Sequence, residues 1–358
     1  MGKARDIASG APAPAGVTST ELGYVDGVTS AIQTQLNTKS AIADDFTAGK
    51  NKIINGDFGV WQRGTSFTGT GVYTADRWII SSDTTSPAVS RQTFTPGTAP
   101  VAGYEGQFFM RFTRGTGGSF CSVQQRIEDV RTFAGKTVTL SFWAKASATC
   151  TIEPFYIQSF GSGGSGDVAG SFGTVSTLTT SWVRYSYTVA IPSVSGKTIG
   201  TSSYLNILTA RITSATNVDV DTWGVQVEAA STASPFQTAT GTIQGELAAC
   251  QRYYIRTTST GTDSNHGMGL ANSTTNAYIQ ANISEMRVIP TSIDYANLNV
   301  SDSVNNFTFS GLSINSANST PRLAFLIATG ASGMTQFRPM FMRNNASTSG
   351  YLGFSAEL

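Results

Sequence analysis

Charged residues and histidine are scarce in this 358-residue sequence. Asp, Glu, Lys and Arg make up 13% of it, against a usual share of about 25%, and there is one His. The formal net charge is +1. Because nucleic acids and anionic membranes require clustered Lys and Arg, we expect neither as a partner.

Long apolar runs and paired cysteines are also missing. No stretch approaches the roughly 20 apolar residues that cross a bilayer, so we expect no membrane insertion. The N-terminus carries two basic residues but no apolar segment, which predicts no secretory signal. Cys121, Cys150 and Cys250 form no CxxC pair and, with one His, cannot supply the four ligands of a structural zinc site. We expect buried, reduced thiols.

Motifs that carry catalysis are absent as well. The sequence has no P-loop and no HExxH motif. Glu128 and Asp129 are neighbours and would point to opposite faces of a strand, whereas a glycosidase needs two carboxylates about 5–10 Å apart. His266 lies in a Gly-rich segment without a nearby nucleophile motif, and we predict that it is exposed. We expect no enzymatic activity.

The first 50 residues divide into two segments. Residues 1–16 are rich in Pro and Ala, and Pro12 and Pro14 predict extended chain. This segment is either a frayed terminus or a docking peptide that a partner orders. Residues 17–50 carry apolar positions at alternating spacings of three and four, typical of a heptad seam. The seam residues are Leu22, Val25, Ile32 and Leu36, with Thr29, Lys39, Ala43 and Phe46 in the same register.

The helix predicted within this seam is short. Gly23 and Gly27 interrupt its beginning, so we expect the helix to run from about Val28 to Lys39. Such a helix is marginal alone in water. It could pack on its own domain, but the narrow apolar seam favours association with identical chains.

The rest of the chain predicts an all-β fold. Residues 51–237 contain segments such as KTVTLSFWAKA and SWVRYSYTVAI, in which apolar and polar residues alternate between clusters of Gly, Ser and Thr. This pattern predicts a β-sandwich of jelly-roll type. Residues 238–256 are predicted to be a linker between the two sandwiches. Its second half is either a short helix or the first strand of the next unit. Residues 257–358 are predicted to form a second, smaller β-sandwich.

Four segments resemble parts of known protein families. TSTELGYVDGVTSAIQTQLNTK (18–39) resembles a module of the trimeric shafts of tail fibres and other appendages of tailed bacteriophages. NKIINGDFGVWQRGTSFTG (51–69) and VDVDTWGVQVEAASTASPFQ (218–237) resemble phage relatives of jelly-roll carbohydrate-binding modules. ELAACQRYYIR (246–256) is similar to the junction that follows this module in many phage proteins.

The resemblance implies a homotrimeric virion fibre. Its N-terminus would contact other virion proteins, and it would attach to a host-surface glycan, most simply as a tail fibre. Such a protein would be assembled in the host cytoplasm and released by lysis. A capsid fibre or decoration protein and a bacterial carbohydrate-binding adhesin remain alternatives.

Candidate ligand-binding residues follow from chemistry and resemblance. Sugars bind to aromatic ring faces beside amide and carboxylate groups. Tyr156 and Phe160 flank the Gly-rich loop 161–171, and Trp61 and Tyr104 are further aromatic candidates.

A structural calcium ion is implied only by the resemblance. Asp57 and Asp221 match positions on the first and last strands that hold calcium in such jelly rolls. Calcium takes six to eight oxygen ligands, so two carboxylates are a partial set. Alternatively, these carboxylates lie in surface turns or in salt bridges with Arg63 or Arg77. We expect no other cofactor.

Overall fold

A computed structural model of the chain describes residues 48–101, 104–213, 217–259 and 261–358. The predicted extended peptide 1–16 lies outside the described residues. So do all but the last three positions of the predicted shaft 17–50, including the seam residues Leu22, Val25, Ile32 and Leu36.

Within the described residues, the first β-sandwich has thirteen strands that are joined by turns and longer loops. In chain order they are β1 (Ser66–Thr68), β2 (Trp78–Ser82), β3 (Ala88–Thr93), β4 (Phe108–Thr113), β5 (Cys121–Glu128), β6 (Thr137–Ala146), β7 (Cys150–Ile152), β8 (Phe155–Ser159), β9 (Val168–Ser171), β10 (Ser176–Leu178), β11 (Val183–Ala190), β12 (Tyr204–Leu208) and β13 (Asp219–Glu228).

Successive strands of this sandwich pass back and forth between two antiparallel sheets. One sheet has the order β1-β3-β4-β13-β6-β11 and the other β2-β5-β12-β8-β9, with β7 and β10 forming a separate pair. The inner faces enclose one apolar core, in which the rings of Phe58 and Trp78 lie 5.1 Å apart. This arrangement confirms the predicted all-β sandwich of jelly-roll type.

The second β-sandwich follows a short helix, α1 (Ile243–Gln251). Its strands are β14 (Tyr254–Thr258), β15 (Asn265–Ala271), β16 (Ala277–Asn282), β17 (Ser292–Ala296), β18 (Leu298–Ser301), β19 (Asn306–Phe307), β20 (Gly311–Ile314), β21 (Leu323–Thr329), β22 (Pro339–Asn344) and β23 (Tyr351–Ser355), with a 3-10 turn at Ser316–Asn318.

These strands form a three-stranded sheet, β14-β23-β17, and a seven-stranded sheet, β19-β18-β22-β15-β16-β21-β20. The second sandwich has its own apolar core, which includes Ile279, Leu326, Met342 and Phe354. The tandem arrangement of two β-sandwiches is therefore confirmed. The domain boundaries proposed from the sequence stay predictions.

The cysteines are buried as expected, whereas His266 differs from its prediction. Cys121, Cys150 and Cys250 are all free and buried. His266 was predicted to be exposed but is half-buried, because its Gly-rich segment pairs as β15. Its ring nitrogens lie 2.9 Å from the Thr257 hydroxyl and 2.7 Å from the Asn344 side-chain oxygen.

A buried arginine joins the two sandwiches. Arg77 is 1% exposed, and burial lowers the pKa of its guanidinium. It forms an ion pair with Glu357 from the second sandwich and donates a 2.6 Å hydrogen bond to the main-chain oxygen of Arg126. The guanidinium carbon lies 3.4 Å from the ring centroid of Tyr253, a cation–π contact.

A second arginine reinforces the same junction. The guanidinium of Arg63 lies over the Tyr254 ring at 3.5 Å and approaches Glu357 at 3.3 Å. Beside it, the Gln62 side chain donates to the Asp76 carboxylate at 3.1 Å and to the main-chain oxygen of Tyr254 at 2.9 Å. Residues 48–358 accordingly form one compact unit.

Removing Glu357 should destabilise this junction strongly. Glu357→Gln leaves the charge of Arg77 buried without a counter-ion, and we expect a loss of about 3–5 kcal/mol in the free energy of unfolding. Urea denaturation measures this loss. The double variant Arg77→Met/Glu357→Leu should recover most of it. Glu285→Gln, which breaks the exposed pair with Arg322, should change the midpoint little. An unchanged midpoint for Glu357→Gln would contradict the junction's role.

One exposed carboxylate ties two loops of the first sandwich together. The Asp83 carboxylate accepts hydrogen bonds from the Phe120 N–H at 2.9 Å, the Ser119 hydroxyl at 2.6 Å and the Ser119 N–H at 2.8 Å. These donors favour the ionised form and lower the pKa of Asp83 to about 2.

This contact predicts a specific acid sensitivity. Because the pKa of Asp83 is lower in the folded state, its stabilisation is complete above about pH 4 and is lost as the pH falls toward 2. Thermal unfolding of Asp83→Asn between pH 2 and pH 6 should therefore show a weaker pH dependence than wild type. Ser119→Ala, which keeps both main-chain donors, should retain most of that dependence. Equal slopes for wild type and Asp83→Asn would count against this assignment.

Candidate functional site

A pocket of roughly 430 Å³ lies between loops of the first sandwich and the beginning of α1. Three segments of the chain surround it: the turn after Asn55, the stretch that precedes β4, and the beginning of α1. The lining residues are Asp57, Gly59, Val60, Tyr104, Glu105, Gly106, Gln107, Phe108, Thr238, Gly241, Thr242, Ile243 and Glu246.

The turn that presents Asp57 is built by Asn55 and Gly56. Asn55 has a φ of 57°, and its side-chain amide exchanges hydrogen bonds of 2.9 Å with the N–H and C=O of Val60. Gly56 has no room for a side chain, because a Cβ would lie 2.2 Å from the main-chain oxygen of Val225. The two residues together place Asp57 in the lining of the pocket.

Glu246 anchors the beginning of α1 to this turn. The Thr242 hydroxyl caps the helix by accepting a 3.1 Å hydrogen bond from the Gly245 N–H. One oxygen of Glu246 accepts from the Asn55 N–H at 2.7 Å. The other accepts from the N–H and hydroxyl of Thr240 at 2.7 and 2.9 Å. Burial raises the pKa of Glu246, although these donors oppose the shift.

Asp57 and Tyr104 form the polar centre of the pocket. The Tyr104 hydroxyl donates to Asp57 at 3.2 Å, and the Gly59 N–H donates to the other oxygen at 3.4 Å. Burial raises the pKa of Asp57. The pKa of Tyr104 is also raised, mainly by burial and to a lesser extent by the negative charge of Asp57. The Tyr104 ring packs against Trp223 and Phe236, with both centroid distances at 5.3 Å.

The chemistry of this lining suits a neutral polyhydroxy ligand. Tyr104 supplies an aromatic surface, Asp57 and Glu105 supply carboxylate oxygens, and Gln107 supplies an amide. The lining residues include no Arg or Lys. An anionic ligand would therefore meet carboxylates with no cation to compensate them.

Of the four predicted sugar-binding residues, Tyr104 and Trp61 lie in or beside the pocket, whereas Tyr156 and Phe160 do not. Tyr104 lines the pocket. Trp61 lies beside it, in an adjoining apolar depression that shares Val60 and Ile243, and its indole N–H donates to the Phe58 main-chain oxygen at 2.7 Å.

Tyr156 and Phe160 belong to the core. They are 6% and 0% exposed, so neither ring presents a face to a soluble ligand in this structure. Tyr156 is a buried position of β8, where its ring meets Phe172 edge to face at 5.8 Å, and Phe160 is buried directly after β8 ends.

The two aspartates predicted to hold calcium have different partners. Asp221 receives two hydrogen bonds from Arg111, at 2.7 and 2.9 Å, and lies 3.6 Å from Lys145. Two cationic side chains on one carboxylate disfavour a divalent cation. Within the described ranges, no group of three or more His, Cys, Asp or Glu residues could hold a metal ion. The calcium site stays a prediction.

Sequence reasoning missed Glu246, Glu105 and Gln107 as pocket residues. Thr242 as an N-cap residue, with the acidic Glu246 in the first helical turn, was a visible signal of a helix start. The partner of Glu246 was not visible, because Asn55 lies 191 residues away in the sequence.

Comparisons with known proteins give structural similarity only. No protein-family model and no curated protein matches the chain. The enzymatically active domain of tailspike protein 4 from bacteriophage CBA120 is 17% identical over 50% of this chain and 21% of its own length, with a TM-score of 0.34. This chain thus spans about a fifth of that tailspike.

Two further structures are described as sugar-binding. The CBM22-1 xylan-binding domain of Paenibacillus barcinonensis Xyn10C is 15% identical, covering 52% of this chain and 99% of its own, with a TM-score of 0.33. A putative sugar binding protein from Bacteroides thetaiotaomicron is 12% identical, covering 50% and 100%, with a TM-score of 0.32. Because these identities and TM-scores are low, the jelly-roll assignment rests on the strand order of the two sheets and not on these similarities. In the part of the chain with described coordinates, no helix is long and apolar enough to span a membrane.

The Asp57–Tyr104 hydrogen bond should be visible in the pH dependence of stability. Because burial raises the pKa of Asp57 in the folded state, stability falls as the pH rises through that pKa. Tyr104→Phe removes a donor that favours the ionised form, so its free energy of unfolding should fall more steeply than that of wild type between pH 4 and 7. Denaturant titrations at each pH measure this slope. In an Asp57→Asn background, Tyr104→Phe should leave the slope unchanged; a persistent difference would refute the coupling.

Proposed function

We propose that this protein is a non-enzymatic, glycan-binding fibre subunit of a phage virion, most simply a tail fibre that attaches to the host surface. The observation that carries the binding role is the pocket at Asp57 and Tyr104. It combines an aromatic ring with carboxylate and amide groups at the surface of a rigid β-sandwich, a combination that suits recognition of sugar hydroxyls and ring faces.

Binding without cleavage is supported by the state of the two buried pocket carboxylates. A glycosidase needs one carboxyl group free to transfer a proton and another free to act as nucleophile or base. Glu246 accepts three hydrogen bonds from Asn55 and Thr240, which leaves it little freedom for proton transfer. We assign Glu246 to the structure of the pocket and Asp57 to ligand contact.

The virion role is supported by the sequence. The segment 18–39 resembles a module of phage fibre shafts, and the seam at Leu22, Val25, Ile32 and Leu36 fits a homotrimer of parallel chains. Residues 1–16 would then contact other virion proteins. A capsid fibre would share these features, and immunogold labelling of intact virions distinguishes the two positions.

Glycan binding is testable on an immobilised panel of bacterial surface polysaccharides. For any polysaccharide that the wild type retains, Tyr104→Ala should raise Kd about 3- to 10-fold, because it removes the aromatic contact. Gln107→Ala should also weaken binding and leaves the packing of Tyr104 intact. Surface plasmon resonance gives both values.

The control is Tyr295→Ala in the second sandwich. Tyr295 is 36% exposed, and its ring centroid lies 5.7 Å from that of Phe309. It does not line the pocket, and Phe309 belongs to the core of the second sandwich. Its substitution should leave Kd unchanged. Equal losses in all three variants would remove the pocket from the proposal. Release of oligosaccharides from a bound polysaccharide would overturn the non-enzymatic assignment.

A further inference from the structure

The seven-stranded sheet of the second sandwich is apolar on both faces. Along β21, Ala324, Leu326 and Ala328 are buried in the core, and Leu323, Phe325 and Ile327 lie at the alternating, outward positions. An antiparallel sheet with one solvated face normally alternates apolar and polar residues. The outward positions here break that alternation.

The outer face is continuous across four neighbouring strands. Met268 pairs with Gln280 and Phe341, and Gln280 pairs with Phe325, so their side chains lie side by side. Met268 is 64% exposed and Leu270 is 39% exposed. A shallow groove of roughly 510 Å³ runs over this surface, which we call the outer apolar face; it is lined by Met268, Gly269, Leu270, Tyr278, Gln280, Phe325, Pro339, Met340 and Phe341.

The charges around the outer apolar face are already neutralised within the chain. Arg343 lies 4.0 Å from Asp263, Arg338 lies 3.1 Å from Asp302, and Arg322 pairs with Glu285. An acidic peptide or an anionic lipid surface would therefore find no unpaired cation among these arginines. The face demands an apolar, uncharged partner.

An identical face meets that demand. Two copies of a neutral apolar surface bring no like charges together, and apolar centres within a polar rim are typical of contacts between subunits. A glycan fits less well, because Gln280 is the one side chain of this lining that carries an amide, and none carries a carboxylate.

We propose that the outer apolar face is the surface through which copies of this chain contact one another in their second sandwiches. The inference rests on the proposed function, in which the chain associates with identical chains. It adds which surface of the second sandwich makes the contact. It is independent of the N-terminal seam, because it concerns residues 268–341, and it is independent of glycan binding.

Cross-linking of the full chain tests the contact. Gln280→Cys places an exposed thiol on the face, and Ser186→Cys places one on β11 of the first sandwich as a matched control. The native thiols are buried, so background reaction with a short bis-maleimide is low. We expect at least fivefold more cross-linked chains for Gln280→Cys than for Ser186→Cys. Adding Met268→Glu or Leu270→Glu to Gln280→Cys should abolish that excess.

Light scattering on the uncross-linked protein separates the outcomes. If the protein is a multimer but Gln280→Cys cross-links no more than Ser186→Cys, this inference is wrong, and the predicted N-terminal seam is unaffected. A monomeric wild type would overturn both. If Met268→Glu instead abolished retention on the polysaccharide panel while cross-linking stayed the same, the outer apolar face would be a glycan-binding surface. The inference would then be wrong.

Discussion

The burial of the Arg77 guanidinium is the constraint on which the 48–358 body depends. A buried cation without partners costs several kcal/mol, so its counter-ion, its carbonyl acceptor and its aromatic neighbour must assemble together. Glu357 and Tyr253 come from beyond the first sandwich, and Arg126 comes from within it. Neither sandwich can satisfy its polar groups at this surface alone, and the two therefore form one unit.

The candidate pocket depends on the same stretch of chain. Glu246, in the first turn of α1, holds the Asn55 turn that presents Asp57. Tyr253, two residues after the end of α1, packs beneath Arg77. The nine-residue helix and the two residues that follow it thus contribute both to the pocket wall and to the contact between the sandwiches.

Periodicity was enough to predict the fold, but not the site. Alternating apolar residues identified the strands, because a pleated strand must bury every second side chain. Tyr156 and Phe160 were chosen because they flank a Gly-rich loop, and that position did not reveal that both side chains are buried. Asp57 and Tyr104 were each singled out for separate reasons. Their meeting depends on contacts between segments 47 residues apart, which no local pattern encodes.

The shared junction also decides how the molecule would carry a mechanical load. Tandem domains on a flexible linker give way one at a time when their ends are pulled apart. Here the linker is a helix clamped at both ends, and residues 357 and 358 reach back to contact Arg77 and Tyr73 of the first sandwich. Tension between the two sandwiches therefore loads the buried Arg77–Glu357 ion pair as well as the connecting segment.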